Sequence, residues 1–239
     1  MAGHSKWSQI KRKKAANDNA RGKTISKHIR AIQTAVRSGG GGDPATNLAL
    51  KNALAAAKTD DVTADTIDRA IERALGSTEG ENFEEVVYEG YGPAGVAIVV
   101  EALTDNRNRT AAEVRHVFSK HGGNMSGSTA WQFDSRGVIV LQDAPDDAED
   151  LAIELGAEDL ESEDGELTIY TSPAELYTVV EGLQQRGFEP SVSQLTKVPQ
   201  TPVELSADDS AKVVRILEAF EDLDDVQNVY STASLADAD

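Results

Sequence analysis

The chain has 239 residues, 39% of them hydrophobic and 27% charged, and a formal net charge of −18. That is enough for two or three domains with ample apolar burial. The absence of cysteine excludes disulfides, zinc-thiolate sites and thiol nucleophiles, and no apolar run approaches the roughly 20 residues of a membrane span.

The first 37 residues hold ten of the 23 Lys and Arg and a single acid, Asp18, which makes this segment +9 on an anionic protein. Within it Lys11, Arg12, Lys13 and Lys14 form an uninterrupted basic run, preceded by Lys6, Trp7 and Ile10 and followed by Arg21. Such a run lacks the apolar partners needed to bury a core. From Thr24 the pattern becomes helical: Ile25, Ile29, Ile32 and Val36 fall into one stripe at about 100° per residue. Lys23, Lys27, Arg30 and Arg37 fall into another on nearly the opposite side. One face packs and the other carries charge, which points to a polyanion as partner. Trp7 suits either stacking on an exposed base or anchoring the segment to the body.

Gly39 to Gly42 reads as a helix stop, not a phosphate loop, because no Gly-Lys-Ser/Thr follows and no strand precedes it. Asp43 is expected to cap the next helix, with Pro44 at its first position. That helix carries Leu48, Leu50 and Leu54, and a third near 63 to 75 sets Ile67, Ile71 and Leu75 four apart. Together they form a small helical domain over residues 1–80.

From Phe83 the period becomes two or continuous. EEVVYEGYG and GVAIVVEALT are expected strands, and Thr110 with Glu113 offers a capping box for a helix burying Val114, Val117 and Phe118. STAWQF is expected as a third strand. RGVIVLQ, AEDLAIEL, ELTIYT, PAELYTVVEGLQQRG and PSVSQLTKV then alternate strand and helix. Pro199 and Pro202 mark a boundary, and a last helix and strand follow. These return to complete the middle domain, so the expected fold is α+β in three domains. They are a helical domain over 1–80, a ferredoxin-flavoured middle domain over 81–134 plus 203–239, and an inserted acidic α/β domain over 135–202.

Charge divides along the same lines: residues 1–80 hold 14 basic and 8 acidic side chains, residues 81–239 hold 9 and 33. Four of those nine, Arg107, Arg109, Arg115 and Lys120, lie within 14 positions around an expected helix start, where free N–H groups favour anions. Arg107 and Arg109 suit a phosphate backbone or pairing with Asp105 or acids of the neighbouring domain. The four histidines, His4, His28, His116 and His121, lack metal-ligand spacing, and there is no Gly-x-Ser-x-Gly elbow. No catalytic residue, metal, cofactor or small-molecule substrate is expected.

AGHSKWSQIKRKKAANDNARGK, GGGGDPATNLAL, YEGYGPAGVAIVVEALTDNRNRTAAEVRHVFSKHGGN and STAWQF together resemble the YebC/PmpR family from Met1 to about Phe133. Met125-Ser126, where many relatives have Leu-Gly, is a departure. The resemblance implies three domains and a cytoplasmic, non-enzymatic protein. It implies a DNA-binding transcriptional regulator, or a ribosome-associated translation factor that binds ribosomal RNA and relieves stalls at proline-rich sequences. The residues themselves leave open a third class, an adaptor whose acidic domain docks a basic protein.

Overall fold

The computed structural model describes residues 18–38, 41–76, 83–145, 147–163 and 165–236. The apolar stripe of the first segment becomes one side of helix α1 (Asp18–Ser38), which packs on α2 (Leu48–Thr59) and α3 (Ala64–Gly76). Ile32, Val36, Leu50, Ala57, Ile67 and Ala70 form the core of this bundle, with Ile25 and Ile29 at its edge. Gly41, at φ 127°, closes α1 by donating from its amide to the Val36 carbonyl at 3.0 Å.

Asp43 does not cap α2. Its carboxylate accepts from the Ala45 amide at 2.9 Å, and Thr46 N–H donates back to the Asp43 carbonyl at 3.2 Å, so Pro44 sits in a turn. The cap is the buried Asn47, whose Oδ1 accepts from the Leu50 amide at 3.0 Å while Nδ2 donates to the Ala35 and Gly41 carbonyls. One side chain thus starts α2 and pins it to the end of α1.

In the middle unit β1 (Glu84–Tyr91) pairs antiparallel with β2 (Ala97–Thr104). Helix α4 (Arg107–Lys120) then crosses one face. After a long excursion the chain returns as α7 (Ala207–Glu221) and β8 (Val226–Ser231), and β8 takes the third place in the order β1-β2-β8. Val114, Val117 and Phe118 of α4 meet Val213, Ile216, Leu217 and Phe220 of α7 over Val96, Ile98 and Val100. The Phe118 and Phe220 rings make an edge contact with centroids 4.7 Å apart.

The expected third strand, STAWQF, is a short 3-10 turn over Ala130–Gln132, and its Phe133 opens β3 (Phe133–Gln142) of a different sheet. That sheet is built with α5 (Asp147–Glu154), β4 (Asp159–Glu163), β5 (Glu166–Thr171), α6 (Leu176–Gln185) and β6 (Val192–Pro199), in the order β4-β5-β3-β6. Both helices cover one face through Leu151, Leu176, Val179 and Leu183. A short parallel pair, β7 (Val203–Glu204) with β9 (Ala233–Ser234), closes the return to the middle unit.

Candidate nucleic-acid interface

The polar side of α1 faces the middle unit at the end of α7. Lys23 Nζ donates to the Asp222 carbonyl at 3.0 Å, Lys27 Nζ to the Glu221 carbonyl at 3.0 Å, and an Arg30 guanidinium N–H to the Asp224 carbonyl at 2.9 Å. The last carbonyls of a helix lack intrahelical donors and sit at the negative end of its dipole, so Lys23 and Lys27, four apart on one helix, cap another, and Arg30 reaches the loop carbonyl just beyond it. With Gly22, Ser26 and Asp224 these three side chains line an open recess of about 310 Å³. The Arg30 guanidinium also lies 5.2 Å from the Phe83 ring centroid.

Beneath this contact is Asp225, whose side chain is only 4% exposed. One carboxylate oxygen accepts from Arg30 at 3.1 Å. The other accepts from Arg109 at 2.6 Å, from the Thr110 hydroxyl at 2.8 Å and from the Thr104 hydroxyl at 3.1 Å. Burial alone pushes this carboxyl up. Hydrogen bonds from Arg109, Thr110 and Thr104, with the Arg109 charge, outweigh it and hold the group below the usual carboxylate range. Asp225 therefore joins α1, the end of β2, the first turn of α4 and its own helix-to-strand corner.

The same network sets the start of α4. Asn106, not Thr110, is the cap: its Oδ1 accepts from the Arg109 amide at 3.1 Å, and Thr110 lies buried inside the first turn. The Thr110–Glu113 box expected from sequence fails because the helix begins four residues earlier than that cap would set it, at Arg107. Arg109 is held by Asp225 first and by Asp105 at 2.7 Å, which together raise its pKa further above neutrality.

The cations named from sequence thus divide. Lys23, Lys27, Arg30 and Arg109 converge on the α7–β8 corner and bond to protein groups there. Arg107 is 64% exposed and lies 3.7 Å from Glu84, and Arg115 is exposed with no ion pair among the described residues. At 100° per residue Arg115 lies far around α4 from Arg109. Arg37 is exposed in the last turn of α1. Lys6, Trp7, Lys11, Arg12, Lys13 and Lys14 lie outside the described residues, as does the side chain of Arg21. Asp225 and Thr104 were missed by sequence reasoning. No described helix is long and apolar enough to cross a membrane, and no three described His, Asp or Glu side chains are grouped to hold a metal ion.

A helical bundle with a basic N-terminal segment, joined through a buried carboxylate to an α/β unit that carries an acidic insertion, defines a particular class of α+β protein. Residues 5–77 match the model of the TACO1/YebC protein N-terminal domain, and residues 83–233 match that of the TACO1/YebC second and third domain. The chain belongs to the TACO1/YebC family. It is 56% identical over 238 residues to a "probable transcriptional regulatory protein" of Deinococcus radiodurans, covering 98% of both chains. A Thermus thermophilus protein of the same description is 56% identical over 234 residues, covering 97% of this chain and 96% of that one. The crystal structure of a conserved hypothetical protein from Aquifex aeolicus superposes with a TM-score of 0.82 at 42% identity, covering 92% of this chain and 93% of the other.

Proposed function

We propose that this protein is a non-enzymatic, cytoplasmic regulator of gene expression that acts by binding nucleic acid, with duplex DNA as the first candidate target, a reading supported by the description of its relatives as probable transcriptional regulatory proteins. The observation that carries this reading is the charge partition: +6 over residues 1–80 against −24 over residues 81–239. A phosphate backbone is attracted only to the first part and to local basic islands in the second. The geometry supports a division of labour. Lys23, Lys27, Arg30 and Arg109 bond to protein groups at the α7–β8 corner, whereas Arg107 and Arg115 on α4 are exposed and open to a phosphate backbone.

Binding of this kind is led by the backbone, because the sequence after α1 carries no recognisable helix-turn-helix pattern with a base-reading second helix. The test is a salt series with labelled duplex DNA and labelled single-stranded RNA. Replacing Lys11, Arg12, Lys13 and Lys14 with Ala flattens the slope of log affinity against log salt by about 3 units, since each phosphate contact contributes roughly 0.9 on duplex and 0.7 on a single strand. A slope unchanged on both ligands overturns the assignment. A larger change on RNA than on duplex moves the target to RNA.

A further inference from the structure

The open face of the β1-β2-β8 sheet, opposite α4 and α7, takes no part in the nucleic-acid reading. Strand alternation places Glu85, Val87, Glu89 and Tyr91 on it, across from Leu103, Glu101, Val99 and Ala97. The inserted unit covers one end through Phe133 and through Lys197, whose Nζ bonds to Glu101 at 2.6 Å. Two large apolar side chains stand in solvent at this face: Val87 of β1, 51% exposed, and Trp131, 68% exposed, on the turn whose Ala130 packs against Ala97 and Val99.

Trp131 is held in place. Its indole N–H donates to the Ser128 carbonyl at 3.0 Å. The turn that carries it hangs from one carboxylate oxygen of Glu89, which accepts from the Ser128 hydroxyl at 3.1 Å, from the Thr129 amide and from the Ala130 amide at 2.7 Å. Thr129 is fully buried and donates its hydroxyl to the Ile98 carbonyl at 3.1 Å. An exposed indole on a turn fixed this tightly loses little further freedom on binding, which is the condition under which an aromatic anchor contributes most.

Charge selects the partner. Asp134, three residues after Trp131, is exposed, and so is Glu85, which lies on β1 four residues before Glu89. Backbone hydrogen bonds from Ala130 and Thr129 keep Glu89 below its ordinary pKa and therefore anionic at neutral pH. Lys197 is already neutralised by Glu101. A nucleobase could stack on the ring only by bringing its phosphates against these carboxylates. A guanidinium stacks on tryptophan and gains from the same carboxylates. We propose that this sheet face docks a basic protein segment, with an arginine stacked on Trp131 and flanking cations on Glu85 and Glu89.

Trp7 and Trp131 are the two tryptophans of the chain, so Trp7→Phe leaves Trp131 as the sole indole emitter. Full-length Trp7→Phe protein is titrated with a nona-arginine peptide, a nona-lysine peptide and a short single-stranded RNA, and labelled peptide is titrated in parallel against the parent, Trp131→Ala and Trp131→Phe. The arginine peptide is expected to perturb Trp131 emission more than the lysine peptide, and RNA is expected to leave it unchanged. Trp131→Ala is expected to weaken arginine-peptide binding by about tenfold or more, as for an interface anchor, with Trp131→Phe recovering part of the loss. The ring is exposed, so both variants keep the fold. Equal affinity of parent and Trp131→Ala, or an emission change produced by RNA and not by the arginine peptide, overturns the proposal.

Discussion

Asp225 is the place where removing a few atoms should cost most. Its carboxylate accepts four hydrogen bonds, two of them from guanidinium groups, at 4% exposure. Removing one member of a buried charged pair costs roughly 3–5 kcal/mol, because the partner's charge is left uncompensated. Here the two arginine side chains are 28% and 44% exposed and can rehydrate, and Arg109 keeps Asp105, so the low end applies. Asp225→Ala is therefore expected to cost about 3 kcal/mol, a fall in melting temperature on the order of 6–12 °C for a chain of this length. Asp225→Asn keeps the shape but turns an N–H toward Arg30 or Arg109, and should recover little. The pH dependence gives a second reading. The folded carboxyl lies below the unfolded value of about 3.9, so its contribution is present above that pH and is lost as pH falls through the folded pKa. Urea unfolding of parent and variants at neutral pH and in the acid range checks both. The reasoning is refuted if Asp225→Asn loses less than about 0.5 kcal/mol, or if it falls with acid as steeply as the parent over that window.

Arg107→Glu should leave the melting temperature nearly unchanged, since an exposed pair at 3.7 Å contributes little, whereas Arg109→Glu should lower it clearly by setting a second carboxylate against Asp225. Equal effects in thermal melts would show that the Asp225 contact is dispensable. A Cβ at Gly90 would collide with the Asn124 carbonyl and the Phe118 ring, so Gly90→Ala should cost about 2 kcal/mol. Gly76→Ala, with open space around it, should be neutral or slightly stabilising in the same assay.

Periodicity carried much of the fold. Ile25, Ile29, Ile32 and Val36 sit against the bundle core as their spacing demands, and the strands around Val99 and Ile139 are as buried as their continuous apolar runs suggest. Capping was less legible, because TDNRNRT offers several residues able to accept an amide, and the choice of Asn106 depends on where Asp225 holds Thr104 and Thr110. β4 was missed because its sequence, DLESE, is mostly acidic and gains its strand geometry only by pairing with β5. At the interface the cationic stripe of α1 was visible, but its partner was not. Asp225 lies 195 residues from Arg30 inside the run EDLDD, where no local signal separates it from solvated acids. Trp131 was read as part of a strand, and its exposure depends on a turn suspended from Glu89, about 40 residues away.

The division of charge between a phosphate-binding N-terminal region and an anionic body is tested most directly by ultraviolet crosslinking of the full-length protein to labelled duplex DNA and to single-stranded RNA, followed by mass-spectrometric mapping of the attached peptides. The account predicts crosslinks within residues 4–37 and 107–120 and none on the sheet of β3 to β6. Crosslinks concentrated in residues 135–202, with the N-terminal region unmodified on both ligands, would contradict it.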